Sequence, residues 1–369
     1  MLEKCLTPIR KEPVLFIAAL AAMLSMIAVP PSAAYLGYVD VRVLCLLFCL
    51  MAVVAGLQSC NLFDVLAHRL LTNSHHLRTV VVMLILLPFF TSMLVTNDVA
   101  LITFVPFAIL VLQTIGKTDL MIPVIVLQTV AANLGSMDTP VGNPQNLFLY
   151  AHYDLTAGSF FRVMVPLTLL SLAALLVATR MIPNEPIQVS FQEDNTIPSR
   201  RKLTLYAGLF LLCLLSVFHV LPYEALTLIV VIAFFVVDKS MLGKVNYSLL
   251  LTFVCFFIFA GNIGAIDQVR ELLTALMDRS AFLASLLASQ FISNVPASVL
   301  LADFTHDWQG MLAGTNIGGL GTLIASLASL ISFQYYAALP DAKPMRYLVV
   351  FTVVNIIGLV ILVPLASIL

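Results

Sequence analysis

The chain predicts an all-α polytopic membrane protein of two inverted repeats, each with a re-entrant hairpin and a discontinuous helix. Three observations predict it. Of 369 residues, 61% are hydrophobic and 10% charged, against roughly 25% charged in a soluble domain, and mean hydropathy is +1.05. Apolar runs of about 18 residues recur, the length that crosses roughly 30 Å of hydrocarbon. Polar residues interrupt those runs at similar places in the two halves.

The apolar runs fall at residues 14–30, 39–57, 79–95, 99–113, 121–150 and 160–182. The first follows Lys4, Arg10 and Lys11 but shows no small-x-small cleavage pattern, so it reads as an uncleaved first helix. Residues 183–202 form the one long hydrophilic stretch and the expected cytoplasmic linker between repeats 1–182 and 203–369. The second half continues with runs at 203–219, 223–237, 245–262, 282–302, 311–336 and 347–365. The six cysteines contain no CxxC pair and read as small hydrophobes within the helices. The formal net charge of −1 and the lack of a basic arm argue against a nucleic-acid partner.

The halves echo each other in polar details that a bilayer does not require. Ala55-Gly56 with Asp64 echoes Ala260-Gly261 with Asp267, each opening a short amphipathic stretch. Thr96-Asn97-Asp98 echoes Ser293-Asn294-Val295, and Asn133-Leu134-Gly135-Ser136 echoes Asn316-Ile317-Gly318-Gly319. Charge distribution suggests the orientation. With a cytoplasmic N-terminus and re-entrant hairpins at 79–113 and 282–302, only Arg42, Arg162, Arg270 and Arg279 of the 18 Lys and Arg lie outside, as the positive-inside bias requires. The repeats then come out inverted, and the C-terminus is external. Hydropathy alone also permits two full spans for the first hairpin; the polar triad at 96–98 favours re-entry.

The candidate substrate and ion ligands sit at these interruptions. An ionised aspartate at the bilayer centre costs about 2.5–3.5 kcal/mol on insertion scales, so Asp98 needs a cation, water or a partner. Thr96 and Asn97 add neutral oxygens, and the helix starting beside them offers its positive end. In the run Asn133 to Asn146, prolines 140 and 144 and glycines 135 and 142 forbid a continuous helix. Ser136, Asp138, Thr139 and Asn143 lie in this break, the broken-helix device of secondary transporters. In the second half Ser293, Asn294 and Val295, then Thr315, Asn316, Gly318, Gly319 and Thr322, offer hydroxyls, amides and loose backbone but no acid. Asn97, Asp98, Asp138 and Asn294 are the Na⁺ candidates, with no other cofactor expected. No Lys or Arg falls at the four elements, so helix N-termini and amides would hold an anion.

Three motifs carry a family resemblance: Asn97-Asp98-Val99-Ala100-Leu101 with Pro106, Thr139 through Leu147, and Ser293-Asn294-Val295-Pro296-Ala297. With them the chain resembles the ion transporter superfamily, which includes divalent-anion/sodium symporters, citrate-transporter-like permeases and arsenite permeases. Dicarboxylate symporters of that group carry Ser-Asn-Thr at both hairpin tips, whereas the Asn97-Asp98 form is more similar to the arsenite-permease side. The resemblance implies ion-coupled (Na⁺ or H⁺) transport of a small anion or oxyanion by an elevator motion, in an inner-membrane homodimer joined through scaffold helices. A cation/proton antiporter, with Asp98 and Asp138 binding the transported ion, is the alternative. A channel fits the spacing poorly. No Gly-x-Ser-Gly, His-Glu-x-x-His or Gly-x4-Gly-Lys-Ser/Thr run points to an enzyme or to ATP binding.

Overall fold

The computed structural model describes residues 12–71, 76–187 and 196–368, without the side chains of residue 13 and residues 68–71. The basic residues Lys4, Arg10 and Lys11, and residues 188–195 of the linker, lie outside the described residues. The described chain is helical, with no strand beyond one isolated bridge between His76 and Pro186.

In the first half, α1 (Pro13–Ala28) and the short α2 (Tyr35–Tyr38) lead to α3 (Val41–Ser59) and the amphipathic α4 (Leu62–Leu71). The hairpin arms are α5 (Leu77–Thr91) and α6 (Asn97–Thr114), and the broken helix is α7 (Met121–Ser136) with α8 (Pro144–His152), followed by α9 (Ala157–Thr179). The second half contains α10 (Arg200–Val217), α11 (Tyr223–Val237), α12 (Tyr247–Gly264) and the amphipathic α13 (Asp267–Arg279). Its hairpin arms are α14 (Ala281–Ile292) and α15 (Asn294–Leu301). Its broken helix is α16 (Trp308–Ile317) with α17 (Leu327–Ala337), and α18 (Pro344–Ala366) closes the chain. Both expected amphipathic helices form, with Asp64 and Asp267 in their first turns. Between α13 and α14 the axis turns by 115°.

Among the described residues six helices are long and apolar enough to cross a bilayer: α3, α6, the segment Thr118–Ser136 that contains α7, α9, α12 and α18. This is a multi-pass membrane protein. The apolar helices α1, α5 and α11 are shorter. At 1.5 Å per residue, α14 and α15, with 12 and 8 residues, reach only about 18 and 12 Å.

Every residue of α7 except Pro123 is buried, which puts that helix at the centre. It packs against α5, α6, α9, α17 and α18, while α14 lies along α16. Glycine allows both close pairings. A Cβ at Gly135 would stand 2.0 Å from the Phe89 carbonyl oxygen, and one at Gly314 2.4 Å from that of Phe282. Small residues let helix backbones approach where lipid supplies no hydrophobic drive. Around this centre, α3 packs on α10 and α11, and α1 on α12. The Ala-Gly echo has a packing cause: a Cβ at Gly56 would stand 3.0 Å from the Tyr206 ring, and one at Gly261 2.4 Å from the Tyr38 ring. Each glycine thus seats a tyrosine from the opposite half.

Proline in the arm of the first hairpin frees a carbonyl that the bundle must satisfy. Pro88 has no N–H for the Leu84 carbonyl, and the buried Gln128 amide donates to it instead at 2.7 Å.

Candidate functional site

The first hairpin tip begins where α5 ends in successive turns and Thr96 adopts extended backbone at φ −66°, ψ 151°. Asn97 opens α6 with its side-chain oxygen accepting from the Asp98 N–H at 3.0 Å. Asp98 therefore sits in the first helical turn, half-buried, where the helix end favours negative charge. The tip is tied to the break of the α7–α8 helix. The Asn97 N–H donates to the Gly142 carbonyl at 3.2 Å, and the Thr139 hydroxyl donates to the Met93 carbonyl.

The break itself follows from local sequence. Asn143 is the N-cap of α8, its Oδ1 accepting from the Asn146 N–H at 2.9 Å, and Pro144 occupies the first helical position, an arrangement that satisfies an orphan donor and needs no proline N–H. The Asn146 Nδ2 faces the carbonyls of Ser136, Met137 and Thr139 at 3.4, 3.1 and 3.1 Å. A Cβ at Gly142 would stand 2.1 Å from the Ser136 carbonyl oxygen, so glycine is required for the chain to fold back here.

The second half repeats these bonds in register. The Asn294 N–H donates to the Ala325 carbonyl at 3.0 Å, and the Thr322 hydroxyl donates to the Gln290 carbonyl at 2.8 Å. Asn133 is to Thr139 and Gly142 as Asn316 is to Thr322 and Ala325, six and nine positions on. Ser293, between the arms, holds φ +72° and ψ 154°, a region that costs a non-glycine residue about 1–3 kcal/mol. Its hydroxyl reaches the Ala325 carbonyl at 3.4 Å.

The two halves meet through their asparagines. Asn133 Oδ1 accepts from Asn97 Nδ2 at 2.8 Å and from the Ser326 hydroxyl at 3.0 Å, and Asn133 Nδ2 lies 3.4 Å from the Ser329 hydroxyl. Reciprocally, Asn316 Nδ2 donates to Asn146 Oδ1 at 2.6 Å, and Asn143 Nδ2 donates to Asn316 Oδ1 at 3.2 Å and to the Ser136 hydroxyl at 3.2 Å. Asn143 and Asn146 lie 10 and 13 positions after Asn133, as Ser326 and Ser329 do after Asn316. All these asparagines and serines are buried.

Beside this network lies a cavity of about 240 Å³. Thr96, Asp98 and Asn143 form its polar wall, Leu50, Val54 and Gln58 of α3 face them, and Lys244 and Asn246 of the second half border it. Among the described residues no acid pairs with Lys244. A second cavity, about 310 Å³, is lined by Tyr38, Asp40, His152 and Asp303. Helix α8 separates them: Pro144 and Leu147 line the first, Phe148 and His152 the second.

Of the residues expected from sequence, Thr96, Asp98 and Asn143 share the first cavity, while Asn97, Asn133, Ser136 and Asn316 form the buried network beside it. Asp138 does not line that cavity. Gly135 serves packing, as do Gly318 and Gly319, whose added Cβ atoms would stand 2.8 Å from Ser289 and 3.0 Å from the Asn294 amide. Thr315 returns its hydroxyl to the Met311 carbonyl of its own helix, and Val295 packs on the apolar core. Sequence reasoning did not single out Gln58, Asn146, Lys244, Gln290, Ser326 or Ser329. No three of His, Cys, Asp and Glu come together among the described residues, so a cation at Asp98 would rely on hydroxyl, amide and carbonyl oxygens for its other ligands.

Comparison with known proteins decides the family. The citrate transporter family matches residues 2–315. The chain belongs to the citrate transporter family. An uncharacterised transporter of Methanocaldococcus jannaschii is 31% identical over 325 residues, covering 87% of this chain and 88% of that protein. The inner membrane protein YbiR of Escherichia coli is 29% identical over 293 residues, 77% of each chain. An uncharacterised transporter of Mycobacterium tuberculosis is 23% identical over 335 residues, covering 79% and 78%. As a member of the citrate transporter family the chain is a membrane transporter.

Proposed function

We propose that the chain is a secondary transporter coupling Na⁺ or H⁺ to movement of a small carboxylate or oxyanion, with Asp98 as the coupling acid. One observation carries this reading. A single cavity is bordered by a carboxylate at a helix N-terminus, Asp98, and by an ammonium group, Lys244, with no acidic partner among the described residues. The carboxylate attracts a cation or a proton, and Thr96 and Asn143 offer neutral oxygens beside it. The ammonium attracts an anion, which helix N-termini and amides alone would hold more weakly.

The matching hydrogen bonds of the two halves support alternating access by inverted repeats. The short second hairpin supports re-entry, and at the first the polar tip at 96–98 supports it, with α5 at 15 residues beside an 18-residue α6. Cavities at the two ends of α8 give the site one approach on each side, the Asp98 cavity from the cytoplasm and the Asp303 cavity from outside. The N-terminus is then cytoplasmic and the C-terminus external. An elevator motion within a homodimer is part of the same proposal. The antiporter alternative needs both acids on one ion, and Asp138 does not line the Asp98 cavity.

The test is reconstitution. A thermal-shift screen of purified protein against Na⁺, Li⁺, carboxylates and oxyanions selects a solute, whose uptake into proteoliposomes is then measured under imposed Na⁺ or pH gradients. Gradient-driven, saturable uptake with counterflow is expected, and Asp98→Asn removes the gradient dependence. Non-saturable flux, or an Asp98→Asn protein still driven by the gradient, overturns the proposal.

A further inference from the structure

The two breaks differ at one position that the matching hydrogen bonds bring into register. Met93 and Gln290 each lie four residues before the tip asparagine, and each offers its carbonyl to the corresponding threonine, Thr139 or Thr322. The methionine has no donor. Gln290 turns its amide into the break: Nε2 donates to the Gly318 carbonyl at 2.8 Å and to the Leu320 carbonyl at 3.0 Å, with Leu286 O at 3.2 Å, and Oε1 accepts from the Thr322 N–H at 2.9 Å. The loop is shaped around this side chain. Gly321 holds φ +109°, and a Cβ there would stand 2.2 Å from the Gln290 Oε1.

Carbonyls freed by an unwound helix in a bilayer must be met by donors, water or a cation. An amide supplies two N–H donors from one nitrogen, enough for the Gly318 and Leu320 oxygens. At the first break the Asn146 amide does the same for the backbone, and its counterpart in register, Ser329, cannot. What an amide cannot do is neutralise charge. The first tip carries Asp98, and the position in register with it is Val295. We infer that Gln290 holds the place a second coupling cation would take, so that the protein has a single coupling-ion site, at the first hairpin. This rests on the ion-coupled reading of Asp98 proposed above.

The experiment isolates the second break by working in full-length Asp98→Asn protein. Equilibrium binding of ²²Na⁺ is measured, with Tm in NaCl against choline chloride at equal ionic strength. With Gln290 in place, no Na⁺ binding and no Na⁺-specific rise in Tm are expected. Adding Gln290→Glu, or Gln290→Met to copy the first hairpin, opens the Gly318 and Leu320 carbonyls. Both doubles gain a Na⁺-specific rise in Tm, and the glutamate double binds one Na⁺ per chain. Na⁺ binding by Asp98→Asn alone overturns the inference without any second substitution, and so do monodisperse doubles indifferent to Na⁺. Failure of the ion-coupled reading is separately visible: the unsubstituted chain then shows neither Na⁺ binding nor pH-dependent uptake.

Discussion

Asn133 makes three side-chain hydrogen bonds while buried, two of them to residues almost 200 positions away. Interhelical hydrogen bonds in bundles average about 0.6 kcal/mol and reach about 1.7 kcal/mol, so Asn133→Ala should destabilise by on the order of 2 kcal/mol. Asn316→Ala, which breaks the reciprocal set, should cost a similar amount, read as a lower Tm and denaturation midpoint in detergent. Lys244 makes a different prediction. Exposed at the cavity border, it acts by attraction more than by fit, so Lys244→Gln should raise KM for an anionic solute several-fold and leave the maximal rate nearly unchanged. Added salt should reproduce part of that effect in the unsubstituted protein. Asn97, Asp98, Asn133, Asn143 and Asn316 were legible because amides and acids inside apolar runs are costly unless used. Ser326, Ser329 and Lys244 were not: serines are common in membrane helices, and a lysine after a span is what orientation alone requires.

Among the elements, α7 depends on glycine. With the Phe89 carbonyl 2.0 Å from where a Cβ would stand, Gly135→Ala should push α5 and α7 apart. Lower expression and lower Tm are expected, whereas Gly158→Ala, which meets nothing within 4 Å, should be silent. At the ends of α10 and α11, Lys202 and Asp238 pair at 2.8 Å. The Lys202 ammonium and the Ser240 hydroxyl pull the Asp238 carboxyl down to about 2. A depressed acid contributes stability above its unfolded value near 3.9 and loses it as pH falls through about 2. Asp238→Asn should therefore lower Tm slightly at pH 7, and the difference should shrink as pH drops from 4 toward 2. Hydropathy found these helices and placed the breaks, because proline and glycine act on the backbone locally. It left open whether the first hairpin re-enters or spans twice, since nothing local separates a re-entrant arm from a short span.

In the whole molecule, the reciprocal bonds from Asn133 to Ser326 and from Asn316 to Asn146 join the two broken helices into one body, with α3 across the cavity from it. If this body moves, its two cavities should open alternately. In a cysteine-free background, Gln58→Cys should react with an impermeant thiol reagent from the cytoplasmic side and Asp303→Cys from the outside. A saturating solute or coupling ion should shift the two rates in opposite directions, and parallel shifts would contradict an alternating site. By itself the sequence determined the class of molecule, the order of its helices, the positions of both breaks and both tips, and an acid at the first tip. These follow from the cost of polar groups in hydrocarbon and from the backbone rules of proline and glycine, both of which act within a few residues. Only the tertiary structure decided that Asn133 and Asn316 reach the opposite half, that Lys244 borders the Asp98 cavity, that Asp138 turns away from it and that Gln290 fills the second break. Each is a contact between distant segments, and the direction a side chain takes there depends on how whole helices pack.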